Sequence, residues 1–145
     1  MKETNIVVSP HLDDAVHSLG CFLSMNQKNS TVVTVFAGMP IEPQRTGWDT
    51  RCGFKDSTNA VSSRRQEDKS GLNLLCFKNE QIIHLNFFDG QYRQQGSNDD
   101  LHLKEKMAEQ ISIFIDKDPD NSINLYGPLF LYHGDHFLAG IFCFY

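Results

Sequence analysis

Residues 6–15 read Ile6-Val7-Val8-Ser9-Pro10-His11-Leu12-Asp13-Asp14-Ala15. The β-branched run Ile6-Val7-Val8 stops at Ser9-Pro10, which predicts a short buried strand followed by a turn. Asp13 and Asp14 then stand where a helix would be capped. Val16, Leu19, Phe22 and Leu23 follow at helical spacing, so the stretch passes from strand to turn to helix.

The same alternation continues outward. Thr31–Phe36 (TVVTVF) is a second strand, nearly continuous in apolar residues, as suits a parallel sheet covered on both faces. Residues 37–57 carry Gly, Pro and Asp without a period and read as a long loop, a length usually tied to function. A helical pattern runs from Ser57 or Thr58 to Phe77. A third strand, Ile82-Ile83-His84-Leu85, ends at Asn86-Phe87-Phe88-Asp89-Gly90. After the polar stretch Gln94–Asp100, Leu103, Met107, Ile111, Phe114 and Ile115 mark the buried stripe of another helix. Asp118-Pro119-Asp120-Asn121 ends it. Ser122–Tyr126 is the fourth strand, stopped by Gly127-Pro128, and a last helix starts near His133 to His136. The order β-α-β-α-β-α-β-α predicts an α/β fold: a Rossmann-like parallel sheet with helices on both faces, in one domain over 1–145.

Composition narrows the function. Of 145 residues, 40% are hydrophobic and 21% charged, which is globular usage. The net charge of -5 argues against a phosphate-tracking nucleic-acid surface, which needs clustered Lys and Arg. The longest apolar run, Phe137–Tyr145, falls far below the roughly 20 residues of a membrane span. The opening MKETNIVV lacks the apolar core of a signal peptide. Cys21, Cys52, Cys76 and Cys143 form no CxxC, so reduced thiols in a cytoplasmic protein are expected.

In open parallel sheets, ligands bind beyond the carboxyl ends of the strands. Here those ends carry Pro10-His11-Leu12-Asp13-Asp14, Ala37-Gly38-Met39-Pro40, Asp89-Gly90-Gln91-Tyr92-Arg93 and Tyr132-His133-Gly134-Asp135-His136. Two imidazoles and a carboxylate drawn from the first and last would suit Zn²⁺ or Fe²⁺ with positions open to water. Of the adjacent Asp13 and Asp14, one can hold metal while its neighbour serves as a general base. The plainer alternatives are a helix cap for the Asp pair and a surface turn for His133-x-Asp135-His136. His17 is expected to be packed or to support the site from behind. His84 and His102 are expected to be structural or on the surface, and nothing argues for a reactive Cys52. In the charge run Arg64-Arg65-Gln66-Glu67-Asp68-Lys69, Arg64 could point back to the rim, oriented by Glu67. The alternative is a solvated face.

The block Ser9-Pro10-His11-Leu12-Asp13-Asp14-Ala15, followed by Ser18-Leu19-Gly20, resembles the opening motif of the PIG-L/LmbE-like family of metal-dependent N-acetylglucosaminide deacetylases. Arg64-x-x-Glu67, Asp89-Gly90 and His133-x-Asp135-His136 match in the expected order. Trp48-Asp49, Cys52-Gly53-Phe54 and Asp89-Gly90-Gln91-Tyr92-Arg93 look like the bacterial subgroup whose motif reads PHLDDA. The resemblance implies His11, Asp14 and His136 as ligands of Zn²⁺, with Fe²⁺ as the alternative. It implies Asp13 as general base and then proton donor. It also implies His133 as oxyanion donor, oriented and kept charged by Asp135, and Arg64 and Asp89 as substrate-binding residues. The implied reaction is removal of an N-acyl group, chiefly acetyl, from a small-molecule amino sugar or glycoconjugate. Rival readings are a non-catalytic metal- or sugar-binding relative and a hydrolase of another bond such as a phosphoester. Leu12, Ala15 and Gly134 depart from the family's usual Pro, Glu and Pro. Family members usually continue well past the last motif, whereas nine residues follow His136 here, so a shortened C-terminus is expected. Neither the sugar nor the oligomeric state is legible.

Overall fold

The computed structural model of the chain describes residues 3–93, 99–115, 122–129 and 133–141. Four strands, β1 (Glu3–Ser9), β2 (Ser30–Thr34), β3 (Ile82–His84) and β4 (Ser122–Tyr126), form one sheet in the order β3-β2-β1-β4. Every pairing is parallel. Val7 stands opposite Val32 on one side and Tyr126 on the other, and Val33 stands opposite Ile83.

The period of two along each strand divides the core into two layers. Ile6, Val8, Val33 and Val35 face one side with Met107, Ile111 and Leu138. Val7 and Val32 face the other with Ala15, Leu23 and Leu72. Helices α1 (Asp14–Asn26) and α3 (Ser57–Leu74) therefore cover one face, and α4 (Asp99–Ile115) and α5 (Gly134–Ile141) the other. Crossover handedness accounts for the split. From β1 through β2 to β3 the chain steps one way across the sheet. It then returns past β1 to β4, and a right-handed crossover in that direction must use the opposite face. The sheet's switch point lies between β1 and β4, where the crevice of such folds opens.

Several boundaries differ from expectation: β1 begins at Glu3, β2 at Ser30, and β3 ends at His84 rather than Leu85. The loop over 37–57 contains a short helix, α2 (Gly47–Arg51), whose first turn is capped by Thr46 Oγ1 accepting from the Asp49 N–H at 3.0 Å. The helix expected to reach Phe77 stops at Leu74. Cys76 adopts φ 65° there, and the Phe77 N–H turns back to the Leu72 carbonyl at 3.1 Å, closing the helix with a left-handed residue. The second strand ends at Thr34 rather than Phe36, which instead makes an isolated antiparallel bridge with Asn86. The helix end at Asp118–Asn121, most of Gln94–Asp100, Cys143 and the end of the apolar run lie outside the described residues. Among the described residues, no helix is long and apolar enough to cross a membrane.

Candidate active site

The turn after β1 is built by its own side chains. Ser9 Oγ donates to the His11 carbonyl at 2.8 Å and accepts from the Ala15 N–H at 3.1 Å, tying the strand end to the first turn of α1. Asp14 Oδ2 accepts from the His11 N–H at 3.0 Å. Asp13 occupies the N-cap position at φ 86° without a side-chain cap bond, so the capping alternative does not describe it. Its N–H instead donates to Asp68 Oδ1 at 3.0 Å. Burial is the main influence lifting the Asp13 carboxyl above its ordinary value. Asp14 and Asp68 add to it, while Arg64 and His17 oppose it.

His11 lies between carboxylates. Its Nδ1 is 3.4 Å from Asp14 Oδ2, and its Nε2 is 3.0 Å from Asp135 Oδ2. Burial alone would lower its pKa. The bonds to Asp135 and Asp14, with the charges of Asp89 and Asp135, instead push it up to about 9. Burial would raise Asp14 and Asp135, but the bonds and charge of His11, joined by the charge of His136 at Asp14 and by the Gly90 N–H and Arg93 at Asp135, together hold both below the usual carboxylate range. Asp135, 1% exposed, also accepts from the Gly90 N–H at 2.8 Å and from Arg93 Nη2. The guanidinium of Arg93 in turn rests over the Phe36 ring at 4.9 Å. A Cβ at position 90 would sit 3.2 Å from the Asp135 carboxylate, so glycine permits this approach.

Helix α5 brings its own imidazole to the same point. His136 Nε2 lies 3.4 Å from Asp14 Oδ2, the oxygen that faces His11. Burial pulls the His136 pKa down against the charge of Asp14. The His11 and His136 ring centroids are 5.3 Å apart, and His133 lies 5.0 Å from His11 and 5.2 Å from His136. Donor atoms of His11, His133 and His136 fall within 4.8 Å of one another, as do those of His11, Asp89 and Asp135. The resemblance gave Asp135 the task of orienting His133. Its carboxylate faces His11, Gly90 and Arg93 instead. Asp135 reaches His133 through its backbone N–H, which donates to Nδ1 at 3.3 Å. With Nδ1 accepting, the ring's N–H is at Nε2.

Beside the imidazoles opens a cleft of about 480 Å³ lined by His11, Trp48, Arg64, Asp89, Gly90, Gln91 and His133. Arg64 Nη1 stands 3.8 Å from Asp89 Oδ2. Trp48, 57% exposed, is carried by α2, and α2 is anchored twice. Thr46 Oγ1 donates to Gln91 Oε1 at 2.7 Å, and the Tyr92 hydroxyl donates to the buried Asp49 carboxylate at 2.9 Å. Burial and that carboxylate drive the Tyr92 pKa upward.

Other residues fall elsewhere. The His17 side chain is 79% exposed, with Nε2 4.0 Å from Asp13 Oδ2, so it is not packed. His102 is exposed beside Glu105, and Cys52 is an exposed free thiol outside the cleft lining. Glu67 is exposed, and Arg64 pairs with Asp89. The acid of that run which turns inward is Asp68, bonded to Asp13 and to His84. Arg65 also turns inward, donating from Nε to the Ala37 carbonyl at 2.7 Å. A charge run does not show which of its members is buried; only the spacing of Asp68, one turn before the buried Leu72 and two turns after the buried Val61 on α3, hinted at it.

Side chains from the ends of β1 and β4 thus meet at the switch point of an α/β sheet and form a His–Asp cluster. The sequence pattern of the GlcNAc-PI de-N-acetylase (PIG-L) family matches residues 6–141, and the chain belongs to that family. The chain is similar to a teicoplanin deacetylase in its zinc-inhibited form: 27% identity, TM-score 0.82, 99% of this chain and 62% of that one. It is also similar to an A40926 pseudoaglycone deacetylase: 28% identity, TM-score 0.78, 97% of this chain and 57% of that one. N,N'-diacetylchitobiose deacetylase from Pyrococcus horikoshii shares the fold at 18% identity and TM-score 0.62, over 98% of this chain and 48% of that one. The chain therefore spans about 57–62% of the length of the first two relatives. No curated protein matches it.

Proposed function

We propose that the chain carries the metal-dependent centre of a hydrolase that removes an N-acyl group, chiefly acetyl, from an amino sugar or its conjugate. The observation that carries this reading is the position of Asp14 Oδ2, 3.4 Å from a ring nitrogen of both His11 and His136. One carboxylate and two imidazoles are the donor set that Zn²⁺ and Fe²⁺ favour, and they come from the segments that follow β1 and β4 beside the switch point. His11, Asp14 and His136 would hold the ion. Asp135 engages His11 Nε2 and so leaves Nδ1 to ligate, in the usual manner of a carboxylate behind a ligating histidine. When bound, the ion supplies Lewis acidity, polarising an amide carbonyl and acidifying a water.

The remaining chemistry belongs to the chain. Asp13, with its raised pKa and no cap bond, takes the proton of the attacking water and returns it to the leaving amine nitrogen. His133 Nε2 donates to the oxyanion that develops on the carbonyl. Arg64, Asp89 and Gln91 offer hydrogen bonds to sugar hydroxyls in the cleft, and the Trp48 ring offers a flat apolar wall for a pyranose. Similarity to an A40926 pseudoaglycone deacetylase supports a glycoconjugate as the substrate class. The exposed free thiols of Cys21, Cys52 and Cys76 suit a reducing cytoplasm.

The test is release of acetate from N-acetylglucosamine, diacetylchitobiose and teicoplanin-type conjugates after loading with Zn²⁺ or Fe²⁺. One similar structure is a zinc-inhibited form, so the two ions are compared at one equivalent and in excess. Metal-dependent release from any of these supports the reading. Bound metal without release from any of them favours the non-catalytic rival, and cleavage of simple phosphoesters favours the other.

A further inference from the structure

We infer that Asp68 and His84 form a buried positioning pair that fixes the main chain of Asp13 and keeps its carboxylate free for proton transfer. The inference rests on the reading of Asp13 as the proton-transfer residue.

Asp13 adopts φ 86°. For a residue with a Cβ, the left-handed region is strained and persists only where surrounding contacts hold it. The contact present here comes from a distant element. Asp68, on α3 and 55 residues away, accepts from the Asp13 N–H through Oδ1 at 3.0 Å. Its other oxygen, Oδ2, lies 2.7 Å from His84 Nε2 at the end of β3. An ionised carboxylate only accepts, so Nε2 carries the hydrogen of that bond. Both side chains are nearly or fully buried, at 0% for Asp68 and 8% for His84.

A carboxylate at this depth stabilises little by itself, since an apolar residue of like volume would pack α3 against the sheet without the desolvation cost. Neither Asp68 nor His84 lines the cleft or belongs to the clusters of metal-ligating atoms. What the pair does is grip one backbone N–H, that of the residue in the unusual conformation. The left-handed turn is also what separates the two acids. Asp14 turns its carboxylate back to the His11 N–H, whereas Asp13 makes no cap bond to the first turn of α1. Released from Asp68, Asp13 can relax toward an ordinary N-cap, in which its carboxylate would accept from the helix N–H groups and be lost as a base.

The full chain, metal-loaded, is compared as wild type, Asp68→Ala, Asp68→Asn and His84→Phe. Hydrogen exchange of the Asp13 amide is followed by NMR, with kcat, KM and metal stoichiometry measured alongside. Asp68→Ala should expose the Asp13 amide and lower kcat about 10- to 100-fold, with KM and metal stoichiometry nearly unchanged. Asp68→Asn keeps an acceptor for that N–H and should restore amide protection and most of kcat. His84→Phe keeps the volume, removes the donor and should fall between the two. It also stands in if Asp68→Ala does not fold. An Asp13 amide that stays protected in both Asp68→Ala and His84→Phe overturns the inference, as does an exposed amide with unchanged kcat. A wild type inactive on every acylated amino sugar defeats the deacylase reading instead, while the amide exchange still decides whether the pair holds Asp13.

Discussion

His11 and His136, 125 residues apart in sequence, are joined by a single oxygen: Asp14 Oδ2 lies 3.4 Å from Nδ1 of the first and from Nε2 of the second. Parallel topology makes the meeting. His11 leaves the end of β1, His136 sits on the helix after β4, and β1 pairs with β4 across the switch point.

Asp13→Asn removes the base and leaves the three proposed ligands in place. Turnover should fall by about 10²–10⁴-fold, with metal content unchanged. Steady-state kinetics beside elemental analysis check this. A variant that deacylates at the wild-type rate contradicts the role given to Asp13.

In the metal-free protein the His11 pKa is raised from 6.5 to about 9. A raised folded-state value means that the charged imidazole stabilises the fold. The contribution, about 3 kcal/mol, is fully present below pH 6.5 and is lost as pH rises through about 9. Chemical denaturation in the presence of chelator, at pH 6 and pH 9.5, should show that loss. Metal must displace the same proton, so uptake at pH 7 should release about one proton, read by calorimetry in buffers of different ionisation enthalpy.

Asp135→Ala strips the carboxylate from His11, Arg93 and Gly90 together. Leaving the partly buried Arg93 without its anion should cost about 3 kcal/mol of stability. Metal affinity should also weaken by about 10- to 100-fold, because His11 loses the group that orients it. Thermal melts and metal titration measure the two effects separately.

Trp48 is the chain's single tryptophan and lines the cleft at 57% exposure. An N-acylated amino sugar that enters the cleft should change its fluorescence saturably. Arg64→Ala should weaken that binding by about tenfold, in keeping with loss of a charged hydrogen bond. A signal indifferent to Arg64 would place the sugar elsewhere.

Much of the fold was legible because strand and helix each impose a short period. Val7 and Val8 face opposite layers as alternation requires, and the Met107–Ile111 stripe falls on the predicted helix. Which loops gather His and Asp was legible too, since order along the chain fixes which strand ends carry them. The supporting contacts were not. Asp68–His84, Asp49–Tyr92 and His11–Asp135 span 16, 43 and 124 residues, and no local pattern links such partners. The Asp13-Asp14 pair was legible as a candidate base and ligand, with a helix cap as the alternative. An acidic pair before a helix looks like a cap, and only the left-handed φ of Asp13 separates it from one. Sequence proximity pairs Asp135 with His133, whereas α5 turns its carboxylate toward His11 and the Gly90 N–H, a placement that no local spacing shows.

The most direct test is calorimetric titration of Zn²⁺ into the metal-free wild type and into His11→Ala, Asp14→Ala and His136→Ala. The account predicts one ion per chain in the wild type and loss of that binding in each variant. Unchanged stoichiometry and affinity in all three variants would contradict it.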